Sequence, residues 1–185
     1  MKRKHHMVRS FELFLAGALL GVSALLAQNA NPLSSEVKWS YGVIQNNLLK
    51  LAEKMPAEYY NFRPTPDVET FARRIAHIAD ANMNVCAGLN GERKTLGAAS
   101  KTAKADLVAA LKESFAYCDK AYNSVTDASG SQMVNLFGRD TPRLGVLIVN
   151  NMHNMEHYGN MVTYMRIKGI VPPTSEQPPP APPKK

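Results

Sequence analysis

His153 and His157 stand four residues apart in the stretch Asn150-Asn151-Met152-His153-Asn154-Met155-Glu156-His157-Tyr158, and His77 lies far upstream. These three are the only histidines beyond position 6. On a helix, residues i and i+4 share a face with Cβ atoms about 5–6 Å apart, so one divalent cation can take an imidazole nitrogen from each. A third imidazole from a facing helix would leave one coordination position open, which is the arrangement of a catalytic metal rather than a closed structural one. Histidines on helices also pack or hydrogen-bond without any metal. The spacing alone leaves both readings standing.

The same residues, His153-Asn154-Met155-Glu156-His157, fit the H-x-x-E-H pattern of inverted zinc peptidases. Those enzymes need a further acidic ligand well downstream and a much larger chain. After His157 the sole acid is Glu176, inside a proline-rich segment, which argues against a peptidase.

The ends of the chain are compositionally distinct from its middle. Lys2, Arg3, Lys4 and Arg9 precede an apolar run from Phe11 to Leu26, which reads as an export signal over residues 1–27 with cleavage after Ala27. An uncleaved membrane anchor is the alternative, since the run is borderline for spanning. Cleavage would place the protein in the periplasm or otherwise outside the cytoplasm, with no membrane attachment. Setting aside residues 1–27 lowers the formal net charge from +7 to +4, and the remaining basic residues are scattered rather than interleaved with aromatics. A nucleic-acid partner therefore has little support. At the other end, residues 172–185, seven of them proline, read as a disordered, extended tail. Residues 28–171 are one domain's worth of chain.

Within that domain strand signals are almost absent, and helical periodicity recurs four times. Val37, Tyr41, Ile44, Leu48, Leu51 and Met55 form the first seam, capped by Ser34 or Ser35 and ended by Pro56. The second, about 68–89, has Phe71, Ile75, Ile78, Asn82, Cys86 and Leu89 on its core face, with His77 on the opposite, small and polar side. The third, about 104–125, repeats the seam with Leu107, Leu111, Phe115, Cys118, Tyr122 and Val125. After a loop over 127–141, the fourth runs from Pro142, capped by Thr141, to about Lys168, stopped by Gly169 and Pro172. Its histidine face also carries Asn150, Asn160 and Tyr164, expected either to line a pocket or to reach solvent. The expected fold is all-α, an antiparallel four-helix bundle.

The pieces Tyr60-Asn61-Phe62-Arg63-Pro64-Thr65-Pro66, Ile75-Ala76-His77-Ile78-Ala79, His153-Asn154-Met155-Glu156-His157-Tyr158-Gly159 and the closing stretch Tyr164 to Pro173 resemble the DinB/YfiT-like four-helix family. The resemblance spans about Ser34 to Pro173. It implies that His77, His153 and His157 are the ligands of a divalent metal, with water completing the site. Three imidazoles suit zinc or nickel. Characterised relatives include thiol-dependent transferases and isomerases, in which an open metal position favours the thiolate of a low-molecular-weight thiol cosubstrate. Export conflicts with that chemistry, because such thiol pools belong to the cytosol.

Two classes of function follow. One is a metal-dependent transferase or hydrolase acting on a small molecule of unknown identity, with Glu156 or Tyr164 handling protons. The other is a non-catalytic module that retains a metal or small ligand in the envelope, and a homodimer is open in either case. An exposed Glu156 together with a blocked fourth metal position would favour the second. Cys86 and Cys118, the only cysteines, fall on core-facing sides of neighbouring helices and are expected to pair as a disulfide in an exported protein, the alternative being two buried thiols. Cys86 lies about 180° from His77 on the helical wheel, which excludes a mixed Cys/His metal site.

Overall fold

A computed structural model describes residues 30–176 of the 185. The expected signal, residues 1–27, and the tail from residue 177 on lie outside the described residues. The chain divides after Pro32 into two units, and the architecture below is that of the second, from Leu33 onward. The described residues are mostly helical. The four periodic segments become α1 (Pro32–Lys54), α2 (Phe71–Gly88), α3 (Lys104–Ser124) and α5 (Arg143–Ile167), with a single-turn α4 (Asp127–Gly130) before α5. Every position of the first three seams is buried except the half-buried Val37, and one apolar core draws on all four long helices.

Local chemistry explains the helix ends. Thr70 caps α2 by accepting the backbone N–H of Arg73, while the carbonyls of Phe62 and Tyr60 accept those of Phe71 and Ala72. The aromatic Tyr60-Asn61-Phe62 loop is thus what fixes the start of the His77 helix. At the end of α5, Gly169 takes a left-handed φ of 71°. The N–H of Ile170 reaches the Met165 carbonyl and that of Gly169 reaches the Arg166 carbonyl, the Schellman arrangement that ends helices at glycine.

Tyrosine hydroxyls tie the helices across the core. Tyr41 of α1 stacks on Tyr122 of α3 with ring centroids 3.7 Å apart, and its hydroxyl donates to the Phe115 carbonyl. Tyr122 in turn donates toward the Leu147 carbonyl and Asn151 Oδ1 of α5. Cys86 of α2 and Cys118 of α3 form a disulfide with Cα atoms 5.3 Å apart, well inside the range such a bridge needs. The core-facing placement of both cysteines on the wheel had pointed to this pair.

Three sequence expectations are corrected. The segment 127–141 is not a plain loop: after α4 it forms an antiparallel hairpin of β1 (Met133–Leu136) and β2 (Arg139–Pro142). Its strands are four residues each, too short for an alternating pattern to stand out. Thr141 lies in β2 and its hydroxyl donates to the Arg139 carbonyl, so it does not cap α5, which starts behind Pro142 without a side-chain cap. Finally, the chain stays packed past Pro172. Thr174 is held by the Tyr158 hydroxyl and Glu176 pairs with Lys54, so residues 174–176 are tied to the bundle.

Candidate metal centre

The sequence places His77 on α2 and the histidine pair on α5, and the packing of α2 against α5 decides whether they meet. They do. The Nε2 atoms of His77 and His157 each lie 3.0 Å from Nε2 of His153, and the three ring centroids are 4.4–5.0 Å apart. The potential ligand atoms all fall within 4.8 Å of one another, so the three histidines could hold a metal ion. Metal–nitrogen bonds of 2.0–2.1 Å in a tetrahedral shell set ligand nitrogens about 3.3 Å apart. The two observed spacings are close to that edge.

As a purely hydrogen-bonded cluster the triangle is poorly satisfied. Arg74 directs its Nη1 at His157 Nδ1, 3.3 Å away. A guanidinium only donates, so this nitrogen accepts and the proton of the neutral ring sits on Nε2, facing His153. His153 Nε2 must then serve as acceptor for two neighbours, and its Nδ1, which carries the ring proton, is buried without a hydrogen-bond partner. Three lone pairs aimed at one cation make better use of this convergence than hydrogen bonds do.

Burial grades across the site: His77 is exposed, His153 intermediate and His157 only 7% exposed. Burial first, then the positive charge His153, His77 and Arg74 would add, pushes the His157 pKa down to about 4. His153 is also lowered, by burial and then by His77, against the opposing carboxylate of Glu156. Neutral imidazoles at neutral pH are the form that ligates metal.

Around the ligands, α2 and α5 are tied by a hydrogen bond from Asn154 Nδ2 to Asn82 Oδ1, 2.8 Å, between two fully buried amides. Sequence reasoning had put Asn82 on the core face without assigning its partner. Asn154, inside the H-x-x-x-H stretch, was the available signal. Arg74 was also missed, although its place three residues before His77 puts it on the adjoining helical sector. Asn150, Asn160 and Tyr164 do not surround the site: Asn150 is buried against Tyr122, Asn160 is exposed, and the Tyr164 hydroxyl donates to the Glu69 carbonyl at 2.6 Å. Glu156 is exposed.

Beside His77 and His153 opens a cavity of about 390 Å³, lined on its apolar side by Ala81, Val85, Val149 and Phe137 of the hairpin turn. Asp80, also on the wall, is already occupied. Its carboxylate accepts the Thr95 hydroxyl and the N–H groups of Leu96, Ala98 and Ala99. Burial would raise its pKa, but these four donors outweigh that and lower it.

Residues 42–161 match the DinB superfamily. The chain belongs to that superfamily. No curated protein sequence matches it. Among solved structures, this DinB-superfamily chain is similar to a DinB-like protein from Bacillus cereus ATCC 10987, with 21% identity, 74% of this chain and 93% of that one covered, and a TM-score of 0.65. It is also similar to the DinB-like protein YjoA from Bacillus subtilis, at 20% identity, 68% and 85% coverage and a TM-score of 0.53. A mycothiol-dependent maleylpyruvate isomerase aligns with 14% identity, 69% and 60% coverage and a TM-score of 0.59. At these identities the likeness is one of fold. No described helix is long and apolar enough to cross a membrane.

Proposed function

We propose that this DinB-superfamily chain is a four-helix bundle that binds one divalent metal through His77, His153 and His157 and works on a small molecule entering from the adjoining cavity. The observation that carries the reading is the convergence of three Nε2 atoms, two of them 3.0 Å from the third. Zinc or nickel suits three neutral imidazoles. A bound cation would supply Lewis-acid polarisation of a substrate donor atom. The histidines hold and orient, and the open side toward the cavity admits the substrate. A metal-dependent transferase or hydrolase is the resulting class.

A thiol-dependent reaction is named for one structural neighbour, the mycothiol-dependent isomerase. The Cys86–Cys118 disulfide and the basic, then apolar, first 27 residues support an exported protein instead, in a compartment poor in free thiols. Exposed Glu156 and the engaged Tyr164 hydroxyl favour a second reading, a non-catalytic module that retains metal or ligand in the envelope, because neither group is set into the cavity as a proton carrier.

The test is metal analysis of protein purified from its native envelope, beside His153→Ala. One equivalent of zinc or nickel is expected in the native protein and strongly reduced content in the folded variant. Unchanged stoichiometry in His153→Ala would overturn the proposal.

A further inference from the structure

The hairpin turn carries a residue that neither turn chemistry nor core packing accounts for. Strands β1 and β2 are joined by the two residues Phe137 and Gly138, with φ of 53° and 88°. Two positive φ values make a turn of the kind that favours Asn-Gly, and a bulky residue at the first of them is strained. The ring gains little burial in exchange, being 69% exposed. It does line the cavity beside His77 and His153, together with Val149 of α5, itself 42% exposed. Two solvent-exposed apolar side chains from separate elements therefore line one cavity.

We propose that Phe137, Val149, Val85 and Ala81 form an aryl-binding subsite, so that the substrate is a small molecule with a neutral aromatic group and a donor atom directed at the histidines. This rests on the metal reading for the donor end alone. The aromatic end follows from the wall. The Phe137 ring offers a face or edge to another ring, and the methyls of Val85, Val149 and Ala81 complete an apolar slot. The cavity's 390 Å³ exceeds what a benzene ring requires and leaves room for a linker to the metal-binding atom. The body must be neutral, because the carboxylate on the wall, Asp80, already accepts from four donors and repels an anion. Asn84 and Thr95 also line the cavity, the Thr95 hydroxyl being engaged by Asp80.

The variant Phe137→Asn separates a ligand role from a structural one, because asparagine is the residue the turn prefers. The first probe is p-cresol added to metal-free protein, followed by methyl NMR. Shifts are expected at Ala81, Val85 and Val149, with affinity at least tenfold weaker in Phe137→Asn although the variant melts a few degrees higher. The second probe pair is benzohydroxamate and acetohydroxamate on zinc-loaded protein, followed by calorimetry, and the aryl compound is expected to bind at least tenfold tighter in the native chain alone. Equal p-cresol binding by both proteins, absence of shifts at those methyls, or a lower melting temperature for Phe137→Asn would each overturn the subsite. Zinc uptake without p-cresol binding defeats this inference and spares the metal centre. Binding of p-cresol without zinc uptake does the reverse.

Discussion

The guanidinium of Arg74 faces Nδ1 of His157 at 3.3 Å, through the ring nitrogen opposite the one that meets the other histidines. A metal-ligating histidine normally donates its remaining N–H to an acceptor, which strengthens the ligand. Here the partner is a cation that only donates. Binding a cation at Nε2 moves the ring proton to Nδ1, directly against Arg74, so Arg74 opposes loading. Arg74→Leu should tighten zinc binding by roughly tenfold, the scale at which outer partners tune affinity, as read by competition with a chromophoric chelator. Weaker binding in the variant would mean that Arg74 supports the ligand rather than opposing it.

The pH dependence of the metal-free protein follows from His157. Unfolded, its imidazole takes a proton near pH 6.5, whereas in the folded chain it does so only at about pH 4. Between those values the unfolded state binds more protons, so stability rises with pH across the window and is lost as pH falls through it. The contribution is on the order of 3 kcal/mol for a largely buried ring. Urea midpoints of native protein should fall between pH 6.5 and 4, and His157→Gln should flatten that slope.

Reducing the Cys86–Cys118 bridge releases a crosslink between residues 32 apart. Chain-entropy reasoning puts its contribution at about 3–4 kcal/mol. Denaturant midpoints with and without reductant should differ accordingly, while bound metal stays constant, since Cys86 lies on the far side of α2 from His77. Two reactive thiols in denatured, unreduced protein would refute the bridge.

Asp80→Asn should loosen the segment 95–99. An amide in place of the carboxylate keeps one acceptor oxygen where Asp80 uses two, so some of four donors lose their partner at a cost of roughly 1–3 kcal/mol. Hydrogen exchange at Leu96, Ala98 and Ala99 is expected to accelerate while the amides of the α3 core do not change.

What could be read from the sequence was what repeats or recurs at fixed spacing. The seams at Tyr41, Ile44, Leu48 and Leu51 or at Leu107, Leu111, Phe115 and Cys118 follow the helical period, and all of these side chains are buried. The wheel also separated Cys86 from His77 and set His153 beside His157. Non-periodic features stayed hidden. The hairpin rests on two four-residue strands, and the sequence Leu136-Phe137-Gly138 lacks the Asn-Gly signature of its turn. Tyr164 shares a helical sector with His157, yet its hydroxyl is taken by the Glu69 carbonyl in the loop before α2, a partner that no spacing rule supplies. The same holds for Arg74, whose role depends on which nitrogen of His157 faces it.

Two of the three imidazoles ride on one rod and the third on another, so their spacing is a matter of mechanical register between α2 and α5. One residue of slip along α2 displaces His77 by about 1.5 Å, enough to spoil its 3.0 Å approach to His153. The Cys86–Cys118 crosslink sits nine residues beyond His77, or about 13 Å down the axis, and bolts the rod to α3. The Asn82–Asn154 amide pair meets α5 between those two points. The amide pair, which joins the two rods directly, is then the gauge that sets how far His77 stands from its partners, while the crosslink anchors α2 from its other side.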